Sequence, residues 1–206
     1  TGGSTNAALH LPAIANEAGI KYTLQDVARI FKKTPYIADL MPGGKYTAMD
    51  MFRIGGVQVV IKELLDAGLL EGDCMTITGK TLAENHKKIR FPKNQDVVYR
   101  VKDALTQTGG VVGLKGSLAP DGAIVKVAGM KNLKFRGAAK VFECEEDAFD
   151  AVVKRKIKAG DVIVIRYEGP KGGPGMRETL STTAALYGLG MGESVALITD
   201  GRFSGG

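Results

Sequence analysis

The chain has 206 residues, 44% of them hydrophobic and 24% charged, which is the composition of a globular protein with one large domain or two small ones. No apolar run approaches the roughly 18 residues that a membrane span needs, and no signal-peptide pattern is present, so we expect no membrane partner. The net charge of +6 comes with only 6% aromatic residues and without an RNA- or DNA-binding motif. Solvated surface lysines explain this charge better than a nucleic-acid partner does.

Cysteine and histidine occur only as isolated residues, at Cys74, Cys144, His10 and His86. Because no C-x-x-C pair is present, we expect reduced, intracellular thiols. For the same reason we expect no complete zinc or iron–sulfur site within these residues. Both cysteines are predicted to be small, buried, apolar side chains.

Residues 1–90 have mainly helical patterns. Ser4 can cap a first helix that Gly19 ends, although Pro12 should kink this helix or mark a restart. Thr23 and Asp26 have the spacing of a capping box at the start of a second helix. This second helix is predicted over residues 24–33, and similar signals together with the apolar spacing predict further helices from 47, over 57–67 and from 81.

Short apolar runs replace the helical pattern after residue 96. They predict strands over residues 111–114, 123–127 and 140–142, with glycine or Asp-Gly turns between them. One helix over residues 145–156 interrupts these strands, with acidic residues in its first turn and basic residues in its last. We therefore predict a boundary near residues 88–96 and two domains, 1–90 and 91–206.

The last part of the chain has the pattern of two strands joined through a glycine-rich loop and a helix. The strands are predicted over residues 162–165 and 195–199, and the helix, of about ten residues, should begin at Arg177 or Glu178. Two parallel strands connected in this way have their carboxyl ends at the same edge of a sheet, where α/β folds bind ligands. We therefore expect Glu178 and Ser204 to face one pocket.

Glu178 and Ser204 each allow two interpretations. The loop before Glu178 lacks the G-K-[ST] ending of a phosphate-binding P-loop. Glu178 can cap the predicted helix, or it can serve as a hard oxygen ligand for Mg²⁺. Ser204 can cap a following helix, or its hydroxyl can be an active group that the neighbouring glycines leave accessible.

Four stretches of the chain carry a family resemblance. Residues 168–178 read EGPKGGPGMRE and residues 197–206 read LITDGRFSGG, and both resemble C-terminal signatures of the family of dihydroxy-acid and sugar-acid/phosphogluconate dehydratases. Residues 1–11, TGGSTNAALHL, resemble the central motif of that family, and residues 72–81, GDCMTITGKT, resemble a further stretch of the same family. Phe203 stands where sugar-acid members are expected to have methionine, which favours the branched-chain dihydroxy-acid members.

The resemblance implies an α+β fold in two parts. Residues 1–90 would be the helical C-terminal part of a larger, cluster-binding α/β N-terminal domain. Residues 91–206 would form most of a C-terminal β-barrel-like swivelling domain (β/β/α), with a βαβ unit in its C-terminal part. Since the chain begins and ends inside motifs, we expect it to be an internal piece of a longer protein and to be inactive alone.

The activity that the resemblance implies is that of a hydro-lyase in valine and isoleucine biosynthesis. Such an enzyme dehydrates 2,3-dihydroxy-3-methylbutanoate, and its methylpentanoate homologue, to the 2-oxo acid. An iron–sulfur cluster, 2Fe–2S or 4Fe–4S, binds the C3 hydroxyl, and Mg²⁺ holds the carboxylate end of the substrate. Carried over by motif, Glu178 is the Mg²⁺ ligand and Ser204 is the catalytic base that removes the C2 proton. The cluster ligands and the other Mg²⁺ ligands are expected upstream of Thr1.

The family also implies a homodimeric full-length protein that acts on a small-molecule dihydroxy acid in the cytoplasm, or in an organelle if the source is a eukaryote. Two alternatives stay open. A sugar-acid dehydratase of the same family would differ in pocket size, and turnover on both substrate types would separate the two. A non-catalytic binding domain would have no use for Glu178 and Ser204 together, so its function would survive replacement of both.

Overall fold

The computed structural model describes residues 3–41, 43–171 and 177–203. Its helices are α1 Thr5–Glu17, α2 Leu24–Lys33, α3 Ala48–Arg53, α4 Val57–Asp66, α5 Leu82–His86, α6 Glu145–Val153 and α7 Ser181–Gly188. Its strands are β1 Val111–Leu114, β2 Ala123–Lys126, β3 Ala139–Phe142, β4 Val162–Ile165, β5 Glu178–Thr179, β6 Ala196–Thr199 and β7 Arg202–Phe203. This mixture agrees with the predicted α+β class. None of the described helices has the length and apolar content that a membrane crossing requires.

The chain divides into two compact units, Thr1–Met130 and Lys131–Gly206. Residues 91–130 therefore pack within the first unit. The assignment of residues 1–90 and 91–206 to parts of two family domains, one of them barrel-like, stays a prediction.

Three helices of the first unit begin at the capping boxes that the sequence predicted. The threonines Thr23, Thr47 and Thr81 each accept a hydrogen bond from the backbone N–H three residues on, and the acidic side chain at that position accepts one in return. Bonds from Thr23 hold the pKa of the Asp26 carboxyl below its usual value. The first helix, α1, continues through Pro12, and none of its residues is fully buried.

The core of the first unit lies between α3, α4 and the extended segments near residues 37 and 98. Its buried members are Ile37, Ala38, Met51, Val59, Val60, Leu64, Val97 and Val98. Beside this core, β1 and β2 form an antiparallel pair, with Val111 opposite Lys126. A Cβ atom at Gly113 would lie 2.7 Å from Cβ of Ala28, so glycine permits the close approach of α2 to β1.

The second unit is built on a parallel three-stranded sheet in the order β3-β4-β6. Its core comprises Ala148, Ala151, Val152, Ile157, Ile163, Ile165, Leu186 and Val195, contributed by the sheet, by α6 and α7, and by the segments beside them. The predicted parallel pair is confirmed, because β4 and β6 run side by side with α7 between them in sequence. Strands β5 and β7 form a separate, short parallel pair.

The predicted start of α7 is wrong. We expected a helix from Arg177 or Glu178, whereas Glu178 and Thr179 form β5 and the helix begins at Ser181. The physical reason is twofold: β5 pairs with β7, and the first N–H groups of α7 are bonded by a side chain from α6, described below. Glu178 therefore does not cap a helix.

The sheet of the second unit should depend on Ile163, which has 0% of its surface exposed. Replacement of Ile163 by alanine is expected to lower the free energy of unfolding by about 2–5 kcal/mol, because it opens a cavity between the sheet and the helices. Ile198 on β6 is a matched control, since 38% of it is exposed. For Ile198→Ala, chemical denaturation should show a loss of unfolding free energy of less than about 1 kcal/mol. Equal losses for the two variants would contradict this core.

Candidate active site

The carboxyl ends of β3, β4 and β6 meet at one edge of the parallel sheet. The register aligns Phe142, Ile165 and Thr199, so the segments that follow these residues begin side by side. This is the edge at which open α/β sheets bind ligands. The segments contain Glu145, Glu168 and Asp200, three acidic residues that organise the edge.

Asp200 connects the segment after β6 to the segment after β4. Its two carboxylate oxygens accept hydrogen bonds from the backbone N–H groups of Tyr167, at 3.2 Å, and Glu168, at 3.0 Å. Tyr167 has a φ of 61°, a conformation that non-glycine residues adopt infrequently. Gly201 follows Asp200, and a Cβ atom there would lie 2.9 Å from the carbonyl oxygen of Arg177. These two segments are thus held close to the start of β5.

Two buried carboxylates each bond the amino end of a helix. Glu168, 2% exposed, accepts a hydrogen bond of 2.7 Å from the backbone N–H of Glu145, the first residue of α6. Glu145, 3% exposed, accepts bonds of 3.1 and 3.2 Å from the backbone N–H groups of Leu180 and Thr182 at the start of α7. Negative charge is favourable at these positions because helix amino ends carry unpaired N–H groups and partial positive charge.

Arg177 supplies the positive charge that these carboxylates require. Its guanidinium nitrogens lie 3.4 Å from Oε2 of Glu145 and 3.4 Å from Oε1 of Glu168. It also forms a two-pronged contact with exposed Glu146, at 2.6 and 3.1 Å. Hydrogen bonding to Arg177 lowers the pKa of Glu146 to about 2, and these carboxylates raise the pKa of Arg177. We call Glu145, Glu146, Glu168 and Arg177 the charge network.

Glu178 is the residue after Arg177, and its side chain lies on the exposed side of β5. It is aligned with Arg202 of β7, whose guanidinium contacts Glu178 Oε1 at 2.8 Å. Thr179 is aligned with Phe203 and is completely buried. Ser204 is the next residue after Phe203 and lies outside the described residues. The structure thus brings Glu178 beside the strand that leads to Ser204.

The carboxylate of Glu178 is suited to be one ligand of a Mg²⁺ ion, since Mg²⁺ prefers oxygen ligands and often takes only one or two carboxylates from a protein. Within residues 3–41, 43–171 and 177–203, its one hydrogen-bonding partner is Arg202, on Oε1. In the same part of the chain, no three His, Cys, Asp or Glu side chains converge to hold a metal ion. The other ligands of such an ion would have to come from elsewhere.

The two cysteines do not form a cluster site, because an iron–sulfur cluster generally needs four ligands, mostly cysteine thiolates. Both are free, and two thiols are too few to supply such a ligand set. The prediction that both are buried is wrong: Cys74 is exposed and Cys144 is half-buried. Cys144 precedes α6, where burial and the neighbouring acidic groups contribute to a raised pKa of its thiol.

Two family models match the chain in succession. The model for the N-terminal part of dihydroxy-acid/6-phosphogluconate dehydratases matches residues 1–85, and the model for the C-terminal part matches residues 96–206. The chain belongs to the dihydroxy-acid/6-phosphogluconate dehydratase family. The resemblance inferred from the four motifs is therefore confirmed.

Curated members of the family match along the whole chain. A protein of Mesorhizobium japonicum named dihydroxy-acid dehydratase 2 is 69% identical, over 100% of this chain and 35% of the relative. Dihydroxy-acid dehydratases of Parvibaculum lavamentivorans and Metallosphaera sedula are 66% and 54% identical, again over 100% of this chain and over 36% and 37% of the relatives. The chain thus spans about a third of the length of the relatives that it matches.

The sequence-based reasoning missed the charge network. Glu168 and Arg177 lie in the glycine-rich family motif, yet only Glu178 was selected from it. The acidic first turn of α6 indicated only residues favourable to the dipole of that helix, whereas Glu145 is also buried and bonds α7. A useful signal was the presence of charged residues directly after each predicted strand of a parallel sheet.

The charge network makes acid stability depend on Glu146. Because its pKa is lowered from 4.5 to about 2, the ion pair stabilises the fold fully above pH 4.5, and this contribution disappears as the pH falls toward about 2. Glu146 is exposed, so we expect a contribution at pH 7 of less than about 1 kcal/mol. The difference in unfolding free energy between the wild-type protein and Glu146→Gln, measured by urea denaturation from pH 7 to 3, should shrink. A difference that stays constant would contradict the pairing.

Proposed function

We propose that the full-length protein dehydrates 2,3-dihydroxy-3-methylbutanoate and its methylpentanoate homologue to 2-oxo acids in valine and isoleucine biosynthesis. The name dihydroxy-acid dehydratase of the relatives supports this substrate class. The observation that carries the proposal is the pairing of two family motifs. Strands β5 and β7 run side by side, so that Glu178 contacts Arg202, two residues before Ser204.

Each of the two residues has a defined role in the proposed reaction. The substrate loses a proton from C2 and its hydroxyl from C3, which together make water, and the resulting enol tautomerises to the 2-oxo acid. Ser204, as its alkoxide, takes the C2 proton. Glu178 offers a carboxylate oxygen to Mg²⁺, while Arg202 holds its other oxygen. A bound Mg²⁺ supplies positive charge to the carboxylate end of the substrate.

Serine is a weak base, so its alkoxide needs positive charge and hydrogen-bond donors nearby. Arg202 is a cation two residues before Ser204 in the sequence, and its backbone N–H donates a hydrogen bond to the carbonyl of Arg177. The proposal includes an iron–sulfur cluster whose ligands lie outside this chain. It also includes a homodimer and a cytoplasmic location, both taken from the family resemblance.

A sugar acid is the second candidate substrate, because the matching family models cover 6-phosphogluconate dehydratases as well. Turnover of the full-length protein on the branched-chain dihydroxy acid and on 6-phosphogluconate separates the two candidates. We expect the branched-chain acid to be dehydrated with the higher kcat/KM. A higher value for 6-phosphogluconate would overturn the proposed substrate.

Replacement of Glu178 by glutamine tests its role as a metal ligand. The change keeps the shape of the side chain but removes its charge, so the kcat of the full-length protein should fall at least about 100-fold and Mg²⁺ should bind more weakly. Because Glu178 is exposed, the free energy of unfolding should change by less than about 1 kcal/mol. Glu193→Gln, which alters another exposed carboxylate of the same unit, is the matched control. Near-normal turnover and Mg²⁺ affinity of Glu178→Gln would disprove the assignment.

Replacement of Ser204 by alanine distinguishes a catalytic base from a helix cap. Loss of a positioned base typically lowers the rate by about 100- to 10,000-fold, whereas loss of a cap costs about 1 kcal/mol of stability. We expect a loss of turnover of at least about 100-fold, together with loss of exchange between a C2 deuterium and solvent.

The matched control for this experiment is Ser194→Ala, since the Ser194 hydroxyl donates a 3.3 Å hydrogen bond to the Met191 carbonyl and has no proposed catalytic role. It should retain both turnover and exchange. If Ser204→Ala instead lowered the melting temperature and kept turnover within a few-fold of wild type, Ser204 would be a structural cap.

A further inference from the structure

Arg177 connects two parts of the sheet edge through its main chain. Its backbone N–H donates a 3.0 Å hydrogen bond to the carbonyl of Glu168, beyond the end of β4. Its carbonyl accepts a 3.0 Å hydrogen bond from the N–H of Arg202, the first residue of β7. Arg177 therefore fixes the distance between the segment after β4 and the strand that leads to Ser204.

The side chain of Arg177 also helps to hold Arg177 itself in place, through its ion pairs. Its guanidinium lies among three carboxylates, and two of them, Glu145 and Glu168, are almost completely buried. A buried carboxylate without a cation is strongly unfavourable, so the guanidinium has one favourable position. The planar fork of arginine can contact several carboxylate oxygens at once, which the ammonium of lysine cannot do with the same geometry.

Strand β5 depends on these contacts because it has only two residues, Glu178 and Thr179. Side chains alternate across a strand, so the side chain of Glu178 is exposed while Thr179 is buried. Within the part of the chain that the structure describes, the buried Thr179 hydroxyl has no hydrogen-bond partner, so no polar contact of this side chain to a described residue anchors the strand. Arg177 directly precedes this strand, and its ion pairs with the charge network fix the position at which the strand begins.

We propose that Arg177 is a positioning residue for the Mg²⁺ ligand Glu178, and that it also sets the position of β7 before Ser204. This inference rests on the proposed function. Arg177 acts through its main-chain bonds and through the charge network, without touching the metal or the substrate. Residues of this kind typically change metal affinity or activity by about 10- to 100-fold when they are replaced.

The test uses the full-length protein and three variants: Arg177→Lys, Glu178→Gln and Arg166→Lys. Arg166 is the matched control because it is an exposed arginine after β4, paired with Glu143 at 3.0 Å, outside the charge network. Calorimetric titration with Mg²⁺ gives the metal affinity, and steady-state assays give kcat and KM separately. Thermal unfolding gives the stability of each variant.

We expect Arg177→Lys to weaken Mg²⁺ binding by about 10- to 100-fold and to lower kcat over a similar range, with a smaller change in KM. Arg166→Lys should match the wild-type protein in all three quantities. A merely structural role would lower only the melting temperature. Mg²⁺ affinity and kcat of Arg177→Lys within about threefold of wild type would therefore overturn the inference, whatever the melting temperature.

A second variant keeps the test decisive if Arg177→Lys does not fold. Glu146→Ala removes the shortest contact of the guanidinium but leaves both buried carboxylates paired with Arg177. We expect it to weaken Mg²⁺ binding severalfold with little change in melting temperature, and unchanged binding would overturn the inference.

If Glu178→Gln also bound Mg²⁺ like the wild-type protein, the proposed function itself would fail. Normal effects of Glu178→Gln with none from the Arg177 and Glu146 variants would reject the positioning role alone.

Discussion

The carboxylates of Glu145 and Glu168 are buried at the carboxyl edge of the parallel sheet, where only 3% and 2% of these residues is exposed. Their burial is possible because the guanidinium of Arg177 lies beside both. Removing a charge from water costs several kcal/mol unless partners replace the lost hydration. Here the partners are the guanidinium of Arg177 and the N–H groups at the starts of α6 and α7. One set of interactions therefore fixes two helices and a short strand together.

This arrangement explains why the edge can hold functional residues in loops and very short strands. Asp200 holds the segment after β4 against the segment after β6, and Arg177 joins both to β5. Glu178 then projects from a two-residue strand whose own pairing would be too limited to fix it. The proposed chemistry at Glu178 and Ser204 relies on this support, because metal ligands and bases must be held in position before the substrate arrives.

Local signals in the sequence were sufficient for most elements. The threonine capping boxes predicted the starts of α2, α3 and α5, and the apolar runs predicted β1 and β4 with the bounds that the structure has. The start of α7 could not be predicted in this way, since its cap is Glu145, 35 residues earlier in the chain. The burial of Glu145 and the pairing of Glu178 with Arg202 likewise depend on contacts between distant residues. Family motifs indicated both Glu178 and Ser204, and the roles of both stay predictions; Ser204 lies outside the described residues.

The central claim is that Glu178 and Ser204 serve one reaction centre at this sheet edge. The most direct test is a crystal structure of the full-length protein with Mn²⁺ in place of Mg²⁺ and with a substrate analogue that cannot lose its C3 hydroxyl. We expect a Glu178 oxygen about 2.0–2.2 Å from the metal, and the Ser204 oxygen about 3–3.5 Å from C2 of the analogue. A metal bound without Glu178, or Ser204 turned away from C2, would contradict the account.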